Sequence, residues 1–345
     1  MDRYGKPSSD ILALKESFFG DNDALLRRAL EIAESYTAQP PRERCMNCAA
    51  PLGEPAFRKL GVAYAVCARC TQLNGLHVDS DEFTAALYTS DGGSSYAVTY
   101  DAATEEAFRA RLDGVYRPKA RFLLAALGEL EDDPAALRYA DLGAGSGYFV
   151  ATLLDEGVAD VRGYEVSEAQ VALAERIVGD GRVVLHDAAE TLSIAAATDA
   201  DVVSMIGVLE HLQQPREMLR VLRANPRVRY VYASVPAFSL SVFIELALPG
   251  VFPRHLSGGH THLYTDDSLR WLEEDVGLAR VAQWWFGTDV VDLFRSLAVT
   301  LAGDERSAGA VELLEERLRP AIDGMQLGLD QRRLASEVHV LWRAA

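Results

Sequence analysis

The sequence predicts an α/β fold built on a mainly parallel sheet, and three observations support this prediction. From about residue 105 onward, short apolar runs typical of strands alternate with helical patterns. The first strand leads directly into a glycine-rich loop, Gly143-Ala-Gly-Ser-Gly147. Acidic residues or histidine follow the next strands, at the edge where open parallel sheets bind ligands. Strands that alternate with helices form a sheet covered by helices on both faces.

The N-terminal region, residues 1–42, is predicted to be helical. Residues 10–37 have the pattern of two helices, and the second begins at Asp23. Its apolar residues share one helix face and are Leu25, Leu26, Ala29, Leu30 and Ala33. Such a stripe packs against a core or a partner and indicates no chemistry. Pro40-Pro41 ends the segment.

All four cysteines of the chain fall within residues 45–70, as two Cys-x2-Cys pairs separated by residues 49–66. Two such pairs can present four thiolates to a tetrahedral ion. No histidine accompanies the cluster, which indicates a structural rather than a catalytic ion. Four free or disulfide-bonded thiols are the alternative. The sequence therefore predicts a zinc site formed by Cys45, Cys48, Cys67 and Cys70.

Residues 43–100 are assigned to this zinc ribbon and to a linker that joins it to the next domain. The linker contains Tyr88 and Tyr96 beside a Gly-Gly-Ser-Ser turn. A segment in this position is either a solvated loop or a loop that folds over a substrate. On the second interpretation, Tyr88 and Tyr96 are candidate substrate contacts.

Residues 101–236 are predicted to hold the first half of the alternating domain. Ser167 and Gln170 have the spacing of a capping box before a helix at 171–177. The strands of this half are expected at 138–142, 161–165, 182–186, 201–206 and 229–234.

Residues 237–345 are predicted to contain a lid and the end of the sheet. The lid is an apolar insertion at 237–264, and Thr265 is a good N-cap for a helix at 266–274. The last two strands and the helices between them are expected at 281–286, 337–341, 289–302 and 308–328.

The glycine-rich loop has the features of a nucleotide cradle. Gly143, Gly145 and Gly147 allow a tight turn and a close approach of ligand to backbone, and the next helix offers N–H donors. Asp141 stands at the start of the loop, and Glu165 ends the following strand. A carboxylate in the position of Glu165 can accept both hydroxyls of a ribose.

Residues 139–212 resemble the class I S-adenosylmethionine-dependent methyltransferases. The matching motifs are the Asp141–Gly147 loop, Glu165, Asp187, and a fourth strand that leads into Glu-His-Leu. The resemblance implies a Rossmann-like core of seven strands that binds the methyl donor. A Rossmann dehydrogenase shares the glycines and the later acid and is the main alternative. The donor contacts that the resemblance implies are Asp141, Gly143, Ala144, Gly145, Gly147, Glu165, Val166, Asp187, Ala188 and Ile206.

Methyl transfer is an in-line displacement, so the protein orients two reactants and removes a proton where one must leave. His211 is the candidate base because it follows the fourth strand and an imidazole titrates near neutral pH. Glu210 beside it either orients the ring or caps the helix start. In this family the histidine often only lines the pocket, and that alternative stays open.

His260 and His262 form a second candidate group, because alternate residues of an extended segment point the same way. They either contact the substrate and shuttle protons in the lid or stabilise a structural turn. A metal site formed by these residues with His255 lacks an evident carboxylate partner and is not expected.

The order of zinc ribbon, class I core and C-terminal helical extension resembles the zinc-containing sugar-nucleotide C-methyltransferases. The resemblance implies that His211 removes the proton α to a keto group and that the enolate takes the methyl. Tyr88 or Tyr96 would close over the sugar. The alternatives are an O- or N-methyltransferase of a specialised metabolite with the same site, and a non-catalytic donor-binding scaffold.

The composition limits the classes of binding partner that the chain is expected to have. With 51 acidic and 34 basic residues the formal net charge is -17, which argues against a nucleic-acid substrate. No secretory signal is visible, and the apolar run 239–252 is interrupted by charge and proline and is too short to span a bilayer. We expect a cytoplasmic enzyme with a small-molecule substrate and no membrane partner, and a homodimer is compatible with these features.

Overall fold

The computed structural model describes residues 1–8, 12, 20–88, 105–256 and 260–344. Its strands are β1 Asp2–Tyr4, β2 Phe57–Lys59, β3 Val62–Val66, β4 Leu73–Gly75, β5 Tyr139–Leu142, β6 Val161–Glu165, β7 Val183–Leu185, β8 Val202–Ile206, β9 Tyr230–Pro236, β10 His262–Leu263, β11 Ala279–Phe286 and β12 Glu337–Arg343. Its α-helices are α1 Asn22–Thr37, α2 Asp81–Tyr88, α3 Glu105–Arg111, α4 Arg117–Gly128, α5 Tyr148–Asp155, α6 Glu168–Val178, α7 Thr191–Ala197, α8 Pro215–Ala224, α9 Leu240–Ala247, α10 Asp266–Val276, α11 Asp289–Ala302, α12 Ala310–Leu318 and α13 Ile322–Asp330.

The central sheet has the strand order β1-β11-β12-β9-β8-β5-β6-β7 in the described part of the chain. Strands β5 to β9 run parallel, and β12 lies antiparallel between β9 and β11. The α/β class and the parallel sheet are therefore confirmed. The chain moves outward from β5 to β7 and then returns to β8 on the other side of β5. Ligands bind in open sheets at such a switch point, above the carboxyl ends of β5 and β8.

Helices cover both faces of this sheet. On one face, Phe122 of α4 and Phe149 of α5 pack with Tyr232 and Trp284 of the sheet. On the other face, helices α8 and α10 bury their apolar sides against alternate residues of the same strands, including Trp285. The neighbouring residues Trp284 and Trp285 thus face opposite layers, as the period of two in a strand requires.

The N-terminal segment differs from the sequence prediction. Residues Asp2–Tyr4, assigned to a helical region, form β1 and pair in parallel with β11. The sheet of the described residues therefore has eight strands: the seven that the family resemblance implied, with β1 added at the edge beside β11. Three residues carry too little periodicity to be recognised as an edge strand, because only their pairing with β11 defines them.

The cysteine-rich segment and the lid share a second, four-stranded sheet with the order β10-β4-β3-β2. Strand β10 of the lid pairs antiparallel with β4 of the ribbon, and His262 lies opposite Asn74. The amide of Gly75 also donates a hydrogen bond of 2.6 Å to the carbonyl of Thr261. The ribbon is thereby hydrogen-bonded to the lid through the backbone.

Two local predictions fail and one is confirmed. The Ser167 side chain makes no cap hydrogen bond, and Gln170 accepts a hydrogen bond from Ser146 of the glycine-rich loop instead. The long helix expected at 308–328 is interrupted at Pro320 and forms α12 and α13. Thr265 caps α10 through the amide of Ser268, as predicted. Among the described residues, no helix combines the length and apolar character needed to cross a membrane.

Candidate active site

The glycine-rich loop connects β5 to α5 at the switch point of the sheet. Gly143 has a φ of +69° and Gly145 a φ of +53°, both in the left-handed region that favours glycine. A Cβ on Gly143 would lie 2.5 Å from Val208 Cγ2, whereas a Cβ on Gly145 would meet no atom within 4 Å. The loop is therefore packed on the Gly143 side and open on the Gly145 side. The open side leaves room for a ligand against the backbone.

Gly143→Ala is expected to destabilise the protein more than substitution of an unpacked glycine of similar backbone geometry. Left-handed backbone costs a non-glycine residue about 1–2 kcal/mol. Alanine at 143 would also displace Val208, whose branched side chain has few alternative rotamers. The matched control is Gly181→Ala, where φ is +74° and space is open. Thermal unfolding measures both variants, and equal losses of stability would contradict a packed Gly143.

Glu165 is organised around the same loop. Its Oε2 accepts a 2.8 Å hydrogen bond from the amide of Gly145, and its Oε1 accepts from the amides of Val166 and Ser167. The carboxylate is buried and fixed by three backbone donors, while each oxygen keeps acceptor capacity. This arrangement suits the predicted role of accepting ribose hydroxyls, with Val166 at the edge of the same position.

The side chain of Asp141 is buried within the sheet. It is 2% exposed, and its Oδ1 accepts a 2.6 Å hydrogen bond from the hydroxyl of Ser204 on β8. Burial raises the pKa of Asp141 to about 7, the Ser204 hydrogen bond opposes this shift, and the charge of Glu165 reinforces it. The two strands at the switch point are thus joined by a carboxyl group near its titration midpoint at neutral pH.

The raised pKa of Asp141 makes stability depend on pH. A carboxyl that titrates near 3.8 when unfolded and near 7 when folded binds more protons in the native state between these values. The native state is therefore expected to lose free energy of unfolding as pH rises from 4 to 7, by up to a few kcal/mol. Asp141→Asn should abolish this part of the pH dependence. Denaturant unfolding of both proteins across this window measures it, and identical slopes would contradict the assignment.

The other predicted donor contacts lie at the ends of β7 and β8. Asp187 is exposed and caps a 3₁₀ turn, Ala188–Glu190, by accepting a hydrogen bond from the amide of Ala189. Ala188 is the first residue of this turn and is also exposed. Ile206 ends β8 and packs partly buried against the core. The contacts of these three residues with the donor stay predictions.

A 3₁₀ turn shortly after β8, Leu209–His211, carries the predicted catalytic pair. Val208 packs against Gly143, so the turn starts at the glycine-rich loop. His211 Nε2 lies 3.9 Å from Glu210 Oε1, and its ring stacks on that of His260 with centroids 5.7 Å apart. Ligand atoms of Glu210, His211 and His260 all lie within 4.8 Å of one another. We call these three residues the triad.

Burial dominates the electrostatics of the triad. It raises the pKa of Glu210 to about 8 and lowers the pKa of His260 to about 4. Burial also lowers the pKa of His211 well below its usual range, and the neighbouring His260 and His262 lower it further. Both imidazoles of the triad are therefore neutral at physiological pH, with a lone pair that can accept a proton or coordinate an ion.

His262 does not join the triad. Its Nδ1 lies 2.9 Å from the hydroxyl of Thr261, and its ring is buried. The two lid histidines thus differ: the ring nitrogen of His260 belongs to the group of ligand atoms with Glu210 and His211, whereas His262 acts on His211 only through its charge. No carboxylate partner for the lid histidines was evident from the sequence. The structure corrects this, because a carboxyl oxygen of Glu210 lies within 4.8 Å of a ring nitrogen of His260.

A second polar group lies near the triad and was missed from the sequence. Glu337 Oε1 accepts a 2.9 Å hydrogen bond from Lys119 Nζ and lies 2.8 Å from His339 Nε2, while His339 Nδ1 lies 2.7 Å from the hydroxyl of Tyr232. Burial opposes ionisation of Glu337, but the Lys119 ammonium and His339 hold its pKa well below its usual range. The four side chains come from α4, β9 and β12, and no local pattern joins them.

The cysteine cluster matches the geometry of a tetrahedral metal site. All four thiols are buried, and their sulfur atoms lie within 4.8 Å of one another. Cys45 and Cys70 sulfurs are 3.6 Å apart, and those of Cys48 and Cys67 are 3.4 Å apart. Zinc–sulfur bonds of about 2.3 Å in a tetrahedron place sulfur atoms about 3.8 Å apart. These residues can therefore hold a metal ion, and zinc suits a set of four thiolates.

The tyrosines predicted to contact the substrate are not placed here. Tyr88 is the last residue of α2, and its side chain lies outside the described part of the structure. Tyr96 falls within residues 89–104, which also lie outside it. Both assignments stay predictions.

An open sheet with a glycine-rich loop at its switch point, a fixed acid after β6 and a polar turn after β8 defines a class I S-adenosylmethionine-dependent methyltransferase. The family model described as "Methyltransferase domain" matches residues 108–283, and the chain belongs to this family. The class predicted from the sequence motifs is thereby confirmed.

Solved structures with a similar fold include the magnesium protoporphyrin IX methyltransferase of Synechocystis PCC 6803 with bound S-adenosylhomocysteine. It is 14% identical with a TM-score of 0.47, covering 77% of this chain and all of that one. A plantazolicin methyltransferase is 16% identical with a TM-score of 0.45, covering 75% and 93%. The geranyl diphosphate C-methyltransferase of Streptomyces coelicolor A3(2) is 11% identical with a TM-score of 0.41, covering 71% and 86%. A search of curated protein sequences finds no match.

Proposed function

We propose that this protein transfers the methyl group of S-adenosylmethionine to a carbon atom of a nucleotide-linked ketosugar. The observation that carries the proposal is the position of the triad directly beside the glycine-rich loop. Val208 packs on Gly143, and Glu210 and His211 follow within one turn. A proton removed by His211 would leave an acceptor carbon next to the donor's methyl group, as methyl transfer requires.

The proposed reaction begins with His211, whose neutral imidazole takes the proton on the carbon α to the keto group. The resulting enolate carbon attacks the methyl carbon, the bond from methyl to sulfur breaks, and its electron pair stays on sulfur to give S-adenosylhomocysteine. Glu165 and the loop around Gly145 would hold the donor's ribose, and Asp187 its adenine. Asp141, Ala144 and Ile206 complete the proposed donor site.

The ion pair of Lys119 and Glu337, which we call the polar wall, favours a polar acceptor such as a sugar. The Glu337 side chain is 34% exposed although Lys119 and His339 anchor one of its oxygens, so the carboxylate can still accept hydrogen bonds from hydroxyl groups. The charge of Glu337 also acts on Glu210, which places this wall close to the triad.

An O- or N-methyltransferase of a specialised metabolite is the second candidate, and one apolar feature favours it. Phe243 on α9 is 57% exposed and stacks on Phe238, with ring centroids 5.7 Å apart. Exposed aromatic surface of this kind suits an apolar acceptor. His211 would then remove a proton from a hydroxyl or an amine.

We further propose that Cys45, Cys48, Cys67 and Cys70 hold a structural zinc ion and that the enzyme is cytoplasmic. The zinc would fix the ribbon, and with it the position of β4 against the lid. The buried thiols and the sulfur distances support this part of the proposal.

Calorimetry with zinc-loaded protein tests the donor site first. Micromolar binding of S-adenosylmethionine and S-adenosylhomocysteine is expected, and Glu165→Gln should weaken it roughly 10- to 100-fold through loss of charge-assisted hydrogen bonds. Absence of donor binding would overturn the enzyme assignment.

The acceptor is tested with a donor that carries an isotopically labelled methyl carbon and a panel of nucleotide-linked ketosugars. The labelled methyl resonance in the product reports whether the new bond is to carbon, oxygen or nitrogen. A carbon-bound methyl is expected. Turnover with phenols or amines but not with ketosugars would replace the proposal by the second candidate.

A further inference from the structure

We propose that the triad of Glu210, His211 and His260 binds a divalent metal ion distinct from the ion of the four cysteines. The inference rests on the proposed function only for the identity of the acceptor, which the ion would hold through two adjacent oxygen atoms. It is carried by the ligand set, by the hydrogen bond that orients His260 and by a buried carboxylate oxygen of Glu210.

Two imidazoles and one carboxylate are a common ligand set for first-row divalent ions with open coordination positions. The ligand atoms of the triad lie within 4.8 Å of one another, and His211 Nε2 is 3.9 Å from Glu210 Oε1. Metal bonds of about 2.1 Å place neighbouring ligand atoms about 3–3.5 Å apart. Side-chain rotations that move the ligand atoms by about 1 Å would therefore bring them to the spacing of a coordination shell.

The orientation of His260 is that of a metal ligand. Its Nδ1 lies 3.0 Å from the carbonyl oxygen of His255, and a carbonyl can only accept a hydrogen bond. Nδ1 must therefore carry the proton, which leaves the lone pair on Nε2. A histidine that donates one ring N–H to a backbone carbonyl and coordinates through the other nitrogen is the usual arrangement in metal sites.

Glu210 supplies an independent indication. The residue is 5% exposed, and within the described structure its Oε2 has no hydrogen-bond partner. An unpaired buried carboxyl oxygen is costly, which indicates that this oxygen has a partner in the working state. His211 and His260 lie beside this carboxyl, and an ion held between the three side chains would satisfy the oxygen.

The ion would select an acceptor with vicinal oxygens, such as an α-hydroxyketone within the sugar. Three protein ligands leave two or three positions for oxygen atoms, and coordination of a keto oxygen makes the neighbouring carbon more acidic. The proton on this carbon then passes to water. The carbon attacks the donor's methyl group, the methyl–sulfur bond breaks, and its electron pair stays on sulfur. With the ion bound, His211 is a ligand rather than the proton acceptor.

The ribbon cysteines and the triad prefer different metal ions. Four thiolates select soft or borderline ions such as zinc, whereas a site of two imidazoles and a carboxylate also accepts manganese. Mn²⁺ added to zinc-loaded protein is therefore a selective probe of the triad, and its electron paramagnetic resonance signal distinguishes bound from unbound ion.

The test titrates Mn²⁺ into zinc-loaded full-length protein and into three variants. We expect one bound Mn²⁺ per chain in the unmodified protein, and binding at least 10-fold weaker in His260→Ala and Glu210→Gln, because each removes one of three ligands. His186→Ala, a histidine at the end of β7, is the matched control and should bind Mn²⁺ normally. Equal Mn²⁺ binding by the unmodified protein and Glu210→Gln would overturn the inference.

Two further measurements separate this inference from the proposed function. Donor calorimetry on the same samples shows whether the methyltransferase site is intact when Mn²⁺ fails to bind. Turnover is then compared in protein that retains the ribbon zinc but has no ion at the triad. A rate that rises at least 10-fold with added Mn²⁺ supports the ion, whereas full activity without it leaves His211 as the base and removes the ion from the reaction.

Discussion

Replacing His211 by alanine is expected to lower kcat by about 10²- to 10⁴-fold, the usual contribution of a positioned proton-transfer group. The same variant should bind S-adenosylmethionine with unchanged affinity, because the proposed donor contacts end at Ile206. The loss is expected whether His211 takes the proton itself or coordinates an ion, since either role requires its imidazole. Single-turnover kinetics with saturating donor measure the chemical step directly.

His186→Ala is the control for the loss of a histidine near the sheet edge. Its ring lies 6.4 Å from that of Tyr164, at the end of β7 rather than of β8, and kcat should change by no more than about twofold. Retention of more than a tenth of kcat in His211→Ala would contradict both roles. His260→Ala then distinguishes them, because only the metal inference requires a large effect at that position.

The paired substitution Cys48→Ser and Cys67→Ser is expected to abolish turnover while sparing donor binding. Structural zinc sites contribute about 10–16 kcal/mol of apparent binding free energy in small zinc domains, more than a ribbon of this size can replace by packing. Unfolding of the ribbon would remove β4 from β10. The lid segment that carries His260 and His262 would then lose its backbone partner.

Side chains strengthen this coupling between the ribbon and the lid. The amide of Asn74 lies 3.6 Å from the sulfur of Cys45, and Asn74 is the residue opposite His262. Asn47 donates a 2.9 Å hydrogen bond to the carbonyl of Ser268 in α10, and Trp271 of the same helix packs against the cysteine cluster. Asn74 thus links the cysteine cluster directly to the lid strand β10.

Hydrogen exchange and calorimetry measure the outcome of the cysteine substitutions. The amides of residues 260–264 should exchange faster in the double variant, and S-adenosylhomocysteine should bind within about threefold of its normal affinity. Saturating Mn²⁺ in the turnover assay excludes an ion-free triad as the cause of any loss. Normal turnover in protein shown to lack zinc would contradict the coupling.

The sequence predicted the elements whose signal is local. The strands at 138–142 and 201–206 and the helix cap at Thr265 agree with the structure within a residue or two, because each is specified by neighbouring side chains. The capping box at Ser167 failed for a long-range reason. Gln170 bonds to Ser146, which is brought near by the turn of the glycine-rich loop.

The parts of the candidate site that the sequence did not predict are those that require tertiary contact. Glu210 and His211 are adjacent and follow a strand, so a motif indicates them, whereas His260 comes from the lid and meets them only in the folded structure. Lys119 and Glu337 meet across the sheet from α4 and β12. Their separation in the sequence leaves no periodicity or spacing from which the ion pair could be inferred.

The strand pairing between ribbon and lid constrains how this enzyme can be divided or recombined. A fragment that begins near residue 101 would leave β10 with an open edge and Trp271 uncovered, and such edges promote association between chains. Chimeras that exchange the ribbon between relatives would need to exchange β10 and α10 with it. The ribbon is in this sense a structural part of the domain that contains the lid rather than a separable module.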